Sequence, residues 1–281
     1  MPLASGPAAL PKHSAAPRPG TEVGQLAGAF NQMLDHAEAS LSERHDSEQR
    51  LRQFIANASH ELRTPLAIIR SHAEHAQHAG GEDPEQITTA LGRITVESAR
   101  MGHLVDDLLL LARLDSGRPL AHDELDLTRL IIDSVSDARI AAPGHRRQLD
   151  LPEEPVMLMG DEHRLHQGIT NLLANARIHT PPGTTVITQL SHDHATGIDV
   201  RVADDGPGIR SEVLPHVFER FTRADTARSH TTGSTGLGLP ITEAISHAHH
   251  GTIQLTSQPG RTEFTIWLPS PDVSPNAGPP R

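Results

Sequence analysis

One short stretch of the chain places a candidate nucleophile beside a candidate base. In "SHELRTPL", residues 59–66, His60 stands beside Glu61, and Thr64 follows three residues later. An imidazole can act as a nucleophile, and a neighbouring carboxylate can hold its proton. Pro65 cannot donate to the carbonyl of Glu61, so the helix should be weakened just past His60 and leave room for an entering group.

A second group of residues could hold a nucleotide. In "NLLANARIHTPPG", Asn171 and Asn175 are spaced i and i+4 and share one helix face. Carboxamides can ligate a hard cation without adding negative charge near a triphosphate. In "VADDGPGI", Asp204 ends a strand before Gly206 and Gly208. A carboxylate there could accept a hydrogen bond from an exocyclic amine, and the glycines allow a tight turn around a ligand.

A third stretch, "GSTGLGL", precedes a helix, so that backbone N–H groups and the helix N-terminus could face phosphate. No Gly-Lys-Ser/Thr follows, so it is not a P-loop. Taken singly, each stretch also has a plain structural interpretation, namely a surface histidine, a polar helix face or an ordinary turn. The candidate residues of this loop are Gly233, Gly236, Leu237 and Gly238.

Two long helices must position the histidine. The first has helical apolar spacing from Thr21 and stops at Gly80-Gly81. With Ile55 at heptad position a, His60 falls at f and should face solvent. The second helix, from Ile87 to Ala112, carries an apolar surface wider than one partner helix covers, which favours a homodimeric four-helix bundle. That surface includes Met101, Leu104, Val105, Leu108, Leu109 and Leu111.

The rest of the chain predicts an α/β sandwich with several antiparallel strands. Helices are expected at "LDLTRLIIDSVSDARIAA", at "DEHRLHQGITNLLANARIH" and near 238–249, with strands at "RRQLDL", "PVMLMG", "TTVITQLSHDHATGIDVRVADDG", "GTIQLTSQ" and "RTEFTIWLP". The change of pattern near 115–120 predicts a domain boundary. The fold class is therefore α+β, a helical hairpin followed by a sandwich domain.

Composition excludes several classes of function. The formal net charge of -11 makes non-specific nucleic-acid binding improbable on electrostatic grounds. The absence of cysteine excludes disulfides and thiolate chemistry. No apolar run approaches the ~20 residues that would span a bilayer. Residues 1–20 and 270–281 are rich in Pro, Ala, Gly and Ser and are predicted to be a disordered lead-in and tail.

The motifs together resemble a known family. "FIANASHELRTPL" is similar to the H-box of bacterial sensor histidine kinases, and the three nucleotide stretches resemble their N, D and G2 boxes in family order. "FERFTRAD" resembles the F-box at the edge of the ATP lid, and "EVGQLAGAFNQML" resembles the second helix of a HAMP linker. The resemblance implies a partial HAMP helix over 21–46, a dimerisation and phosphotransfer domain over 47–116 and an ATP-binding domain over 120–269.

The resemblance also implies roles for individual residues. His60 would accept the phosphoryl group, Glu61 would assist as base, and Thr64 would position water for dephosphorylating a response regulator. Asn175 would coordinate Mg²⁺, and Asn171 stands where ATPase relatives keep a catalytic acid. Asp204 would bind the adenine amino group, while Gly206, Gly208, Gly236 and Gly238 would shape the pocket and contact the phosphates of ATP.

One position departs from the family pattern. The N-box usually has a lysine followed by an aromatic residue, where this chain has Ile178 and His179. Either Arg177 or His179 replaces the missing cation, or nucleotide affinity is lower.

The implied function is ATP-dependent autophosphorylation of His60, followed by transfer to a response regulator. The chain would be cytoplasmic, with any membrane contact made through a sensor region that it lacks. Competing interpretations are an ATPase of the topoisomerase, mismatch-repair or chaperone type and a non-catalytic helical scaffold.

Overall fold

The structure is a computed structural model that describes residues 22–78, 84–193, 197–222 and 235–270. The predicted lead-in and most of the predicted tail, the turn at Gly80-Gly81, and Gly233 lie outside the described residues. The chain divides after His60 into two compact units, which are described separately.

The first unit contains the N-terminal part of helix α1, which runs from Glu22 to His78. Ion pairs at i, i+4 spacing, such as Arg52 with Glu48 at 3.5 Å, line its exposed surface. Several large apolar side chains of this part are also exposed, so its sequence has more apolar surface than a solvated helix needs. They are Phe30, Met33, Leu41 and Ile55.

The second unit begins with the rest of α1, which remains helical through Pro65, and continues with α2, Pro84–Asp115. Part of the apolar surface of α2 is buried within the chain itself, at Leu104, Leu110 and Leu111. These side chains belong to the same hydrophobic cluster as the sandwich domain. Leu104 and Leu111, two members of the predicted dimer surface, are thus already buried within the single chain.

Other apolar side chains of the hairpin stay open in the single chain. On the stripe predicted to form the dimer seam, Leu91 is 56% exposed and Val105 is 40% exposed. Leu109, beside the stripe, is 53% exposed, and Leu66 of α1 is 56% exposed. This second surface is separate from the one that packs on the sandwich domain.

The sandwich domain contains a mixed five-stranded sheet in the order β2-β4-β5-β7-β6. Only β2 and β4 are parallel, and the other neighbours pair antiparallel. Inward-facing Val, Ile and Leu alternate with more exposed residues along β4 and β5, as expected for a sheet with one covered face. The strands are β2 Arg146–Asp150, β4 Thr185–Asp193, β5 Gly197–Asp204, β6 Thr252–Gln258 and β7 Arg261–Leu268.

Three helices cover this sheet: α3, Leu127–Ala141; α4, Glu162–His179; and α5, Gly238–Ala248. The carboxylate of Asp161 caps α4 by accepting from the backbone N–H of Arg164. The helices and the sheet share one aliphatic core, whose most deeply buried members include Ile131, Leu172, Ile198, Leu237 and Ile241.

A small second sheet pairs β1, Asp123–Asp126, with β3, Met157–Gly160. The strand β3 was predicted, whereas β1 was missed because "DELD" has only one buried side chain, Leu125. Among the described helices, none combines the length and apolarity needed to cross a membrane.

Candidate functional site

His60 lies on α1 at the end of the first unit, and its side chain is exposed. The heptad prediction that it faces solvent is confirmed. One residue earlier, the Ser59 hydroxyl donates to the carbonyl of Ile55 at 2.8 Å. The Ser59 side chain is thus occupied by its own helix.

Glu61 and Thr64 lie in the second unit, on the continuation of α1. Glu61 is half-buried, Thr64 is exposed, and Pro65 is buried. The helix is continuous across Pro65, so the missing backbone N–H of this proline does not end it. An open groove of about 540 Å³ runs along this face, lined by Arg63, Thr64, Ala67, Ile68, Ser71 and His72.

The first wall of the candidate nucleotide site is α4. Asn171 and Asn175 are both half-buried on this helix, one turn apart. The amide nitrogen of Asn171 donates to the carbonyl oxygen of Gly238 at 3.1 Å. Because Gly238 is the first residue of α5, this bond joins the middle of α4 to the N-terminal turn of α5.

Asp204 is the last residue of β5 and lies near Thr180 at the C-terminal end of α4. Its Oδ1 accepts from the backbone N–H of Gly206 at 3.0 Å. A Cβ atom on Gly206 would lie 2.6 Å from that oxygen and 2.6 Å from Cγ2 of Thr180, so any side chain there would clash with both. Burial raises the pKa of Asp204, while the Gly206 hydrogen bond opposes part of that rise.

The remaining glycines of the site differ in what they require. Gly208 has φ 82° and Gly236 has φ 70°, both in the left-handed region that favours glycine. A Cβ atom on Gly236 would also lie 2.9 Å from Cα of Phe221. By contrast, a Cβ atom on Gly238 would meet Asn171 at an ordinary 3.6 Å, so packing alone does not demand glycine at that position.

The three residues at the end of α4 do not all face the same way. His179 is one turn beyond Asn175 and continues its face, as helical geometry requires. The charge of Arg177 instead lowers the pKa of Arg147 on β2, in addition to the larger effect of burial. Arg177 is therefore close enough to β2 to act on Arg147. Burial lowers the pKa of His179, which disfavours the cationic form that would replace the missing lysine.

Sequence reasoning missed two residues that frame Asp204. The hydroxyl of Thr180 donates to the carbonyl of Ala176 at 2.6 Å and lies 3.0 Å from Nε2 of His145. Thr180 directly follows α4, so its position as a helix cap could have been noticed. His145 precedes β2, and no local pattern marks it.

A further contact joins α2 to α4. The amide nitrogen of Gln167 donates to Oδ1 of Asp107 at 3.3 Å. Burial at this contact raises the pKa of Asp107 to about 6, while His103 lowers it and Asp106 raises it by smaller amounts.

These contacts place the nucleotide residues along one helix. Asn171 lies at the middle of α4 beside the start of α5, and Thr180, Gly206 and Asp204 lie near the C-terminal end of α4. Thr180 is nine positions after Asn171, which corresponds to about 13 Å along the helix axis. The arrangement suits an elongated ligand with an anionic end at the α5 N-terminus and a hydrogen-bond donor at Asp204.

Comparison with known proteins agrees with this geometry. Residues 160–272 match the family of histidine kinase-, DNA gyrase B- and HSP90-like ATPases. Residues 50–117 match the His Kinase A phospho-acceptor domain. Fold and site together thus define a phospho-acceptor helical domain joined to an ATPase domain. With close relatives of the same architecture, the chain belongs to the sensor histidine kinases.

Two relatives come from Mycobacterium tuberculosis (strain ATCC 25618 / H37Rv). The probable sensor histidine kinase TcrY is 53% identical over 100% of this chain and 59% of its own length. The sensor histidine kinase TrcS is 47% identical over 89% of this chain and 50% of its own length. The chain thus spans between half and three-fifths of these relatives.

Solved structures share the fold. The Acinetobacter baumannii histidine kinase AdeS superposes with a TM-score of 0.57 at 27% identity, over 75% of this chain and 98% of that one. Histidine kinase ThkA, solved in complex with response regulator protein TrrA, gives a TM-score of 0.64 over 86% of this chain and 67% of that one. At 22% identity, the ThkA likeness shows the fold alone.

Proposed function

We propose that the chain is an ATP-dependent protein-histidine kinase that phosphorylates its own His60. The observation that carries this proposal is the arrangement along α4, where Asn171 bonds the start of α5 and Gly206 bonds Asp204 next to Thr180. This arrangement offers an anion-binding helix end and a carboxylate that can select an amine-bearing base. His60 is exposed and lies within residues 50–117, which match the phospho-acceptor domain, so it would be the nucleophile.

The residues carry out distinct steps. Asp204 accepts a hydrogen bond from the adenine amino group, and the backbone N–H groups at the start of α5 bind phosphate. The imidazole nitrogen of His60 attacks the γ-phosphorus while the bond to the β-phosphate oxygen breaks, giving ADP and a phosphoramidate. Glu61 holds the imidazole proton, which orients the ring for attack.

The donor set on α4 fits Mg²⁺ bound mainly by phosphates and water. Asn175 offers an amide oxygen, and the helix positions one turn before and after it hold Asn171 and His179 rather than carboxylates. Among the described residues, no cluster of acidic or histidine side chains could hold a metal ion unaided. Asn175 would be the protein ligand, and Mg²⁺ would neutralise charge on the phosphates.

We also propose a response regulator as the partner that accepts the phosphoryl group. ThkA, which shares the fold, was solved with such a protein. The groove beside Thr64 is open in this chain, and Thr64 would there position water for dephosphorylation of the regulator. We also propose a homodimer and a division of the chain into three parts. These are a HAMP helix at 21–46, a phosphotransfer domain at 47–116 and an ATP-binding domain at 120–269.

The experiment is incubation of the chain with γ-labelled ATP and Mg²⁺. We expect label on the protein that is stable in base and lost in acid, which is the behaviour of a phosphoramidate. ATP hydrolysis without labelled protein would support an ATPase of the same superfamily. Absence of both nucleotide binding and label would support a non-catalytic scaffold.

A further inference from the structure

An ion pair connects the end of α2 to the sandwich domain. Nη2 of Arg220 lies 2.7 Å from Oδ1 and 2.8 Å from Oδ2 of Asp115, the last residue of α2. The side chains are 33% and 48% exposed, respectively, so the pair is partly shielded from water. The contact is charge-assisted, and one guanidinium nitrogen reaches both carboxylate oxygens.

Arg220 directly precedes a tightly fitted part of the chain. Phe221 has φ 66°, which is strained for a residue with a side chain, and its N–H donates to the carbonyl of Gly236 at 2.9 Å. The absence of a side chain at Gly236 allows this approach, because a Cβ atom would lie 2.9 Å from Cα of Phe221. The strained conformation of Phe221 is therefore held by its neighbours.

The same contact continues into the nucleotide site. Gly236 is followed by Leu237, which is fully buried, and by Gly238, whose carbonyl accepts from Asn171. The backbone between Gly236 and Gly238 is thus fixed on one side by Phe221 and on the other by α4. A displacement of Arg220 would act on this backbone through the residue next to it.

A second carboxylate lies within electrostatic reach of Arg220. Asp115, Arg220 and Glu243 of α5 all line one cleft of about 1050 Å³. Burial raises the pKa of Glu243, while the charges of His247 and Arg220 lower it. Loss of Asp115 would therefore leave Arg220 with an alternative partner on α5 and shift its position without exposing an uncompensated charge.

We propose that Asp115 is a positioning residue for the nucleotide site, although it belongs to the helix that leads out of the phospho-acceptor domain. By holding Arg220, it fixes the Phe221–Gly236 contact and keeps the start of α5 arranged for phosphate. Such pre-organisation strengthens binding because the ligand need not order the site. The coupling is reciprocal, so bound nucleotide strengthens the Asp115–Arg220 contact. The inference rests on the proposed nucleotide site.

The test is calorimetric measurement of Mg·ADP binding to the full chain. We expect Asp115→Asn to weaken binding about threefold and Arg220→Gln to do the same, with the double variant no weaker than either single one. The charge exchange Asp115→Arg with Arg220→Asp should recover at least part of the loss. Asp106→Asn is the matched control, because it makes the same change at an exposed position of α2 and should leave the dissociation constant unchanged.

The possible outcomes separate this inference from the function on which it rests. Failure of the unaltered chain to bind nucleotide would overturn both. Binding by the unaltered chain with equal affinity in Asp115→Asn and Asp106→Asn would overturn the coupling alone. Additive losses in the double variant, or no recovery on charge exchange, would also overturn it, because the two side chains would then act separately. Melting curves without nucleotide should be alike for the unaltered chain, Asp115→Asn and Arg220→Gln, which distinguishes positioning from stability.

Discussion

The backbone N–H of Gly206 donates to Oδ1 of Asp204 at 3.0 Å, and a Cβ atom at residue 206 would lie only 2.6 Å from the same oxygen. The glycine is therefore required by packing before any ligand is considered. Gly238, at the other end of the site, has no such close neighbour, because its Cβ atom would meet Asn171 at 3.6 Å. Replacing each glycine by alanine should therefore affect the stability of the fold differently.

Gly206→Ala should destabilise the sandwich domain and weaken nucleotide binding together. The added carbon must displace Asp204 or Thr180, which we expect to cost roughly 1–3 kcal/mol. Gly238→Ala should leave the melting temperature unchanged or raise it, since alanine favours a helix, yet weaken binding because it obstructs the approach of phosphate. Melting curves and calorimetry on both variants check this, and a Gly238→Ala protein that binds normally would remove the α5 N-terminus from the site.

Asn175→Asp should weaken binding of Mg·ATP without unfolding the domain. The new carboxylate would add negative charge near the phosphates, and the half-buried position would strengthen that repulsion. We expect a loss of about tenfold or more in affinity, measured by calorimetry with and without Mg²⁺. The converse control is Asp137→Asn, at an exposed position of α3 outside the site. This variant should bind Mg·ATP with unchanged affinity. Equal affinity of Asn175→Asp and the unaltered chain would reject the ligand role.

Much of this architecture is predictable because it is locally encoded. The caps and apolar spacing of α3 and α4 and the alternation of β4 and β5 reflect each element's own burial pattern. The strand β1 is not encoded in this way, since three of its four residues are acidic and only its pairing with β3 defines it.

Contacts between distant residues explain what the sequence could not show. Asp115 and Arg220 are separated by 105 positions, and neither belongs to a motif that would predict their pairing. The apolar surface of α2 was correctly recognised, but periodicity cannot reveal which neighbour covers it. Leu104 and Leu111 are buried within the single chain, and an apolar side chain alone does not reveal whether its own chain or a partner chain covers it.

The stability of the chain should depend on the ionisation of Asp107. Its pKa is raised to about 6, so the folded state binds its proton more tightly than the unfolded state does. The stabilising effect of protonation is fully present below about pH 4 and is lost as the pH rises through 6. Asp107→Asn should therefore raise the unfolding free energy at pH 7.5 by about 1–2 kcal/mol, after allowance for solvent screening.

That gain should shrink as the pH falls from 7.5 towards 5, because the unaltered carboxyl then becomes protonated as well. Melting temperatures of the two proteins across this range measure the effect, with Asp137→Asn, at an exposed position of α3, as the control. A difference that is independent of pH would show that Asp107 does not titrate at its contact with Gln167.

The homodimer should depend on the apolar side chains that the single chain leaves open. Leu109 is 53% exposed, so Leu109→Glu should be tolerated within one chain but should place a charge in the seam between two chains. We expect light scattering to show dimers for the unaltered chain and monomers for this variant at micromolar concentration. Ile140→Glu, at a position of α3 that is 81% exposed, should remain dimeric. Monomers in the unaltered chain would contradict the four-helix bundle.

Direct mapping of the phosphorylated residue tests whether His60 receives the γ-phosphoryl group of ATP. The chain is incubated with γ-labelled ATP and Mg²⁺, and label is compared among the unaltered protein, His60→Gln and His36→Gln. His36 is the matched control because it is another exposed histidine of α1. We expect acid-labile label in the unaltered and His36→Gln proteins and none in His60→Gln, with all three binding ATP equally. Acid-labile label that persists in His60→Gln would contradict this expectation.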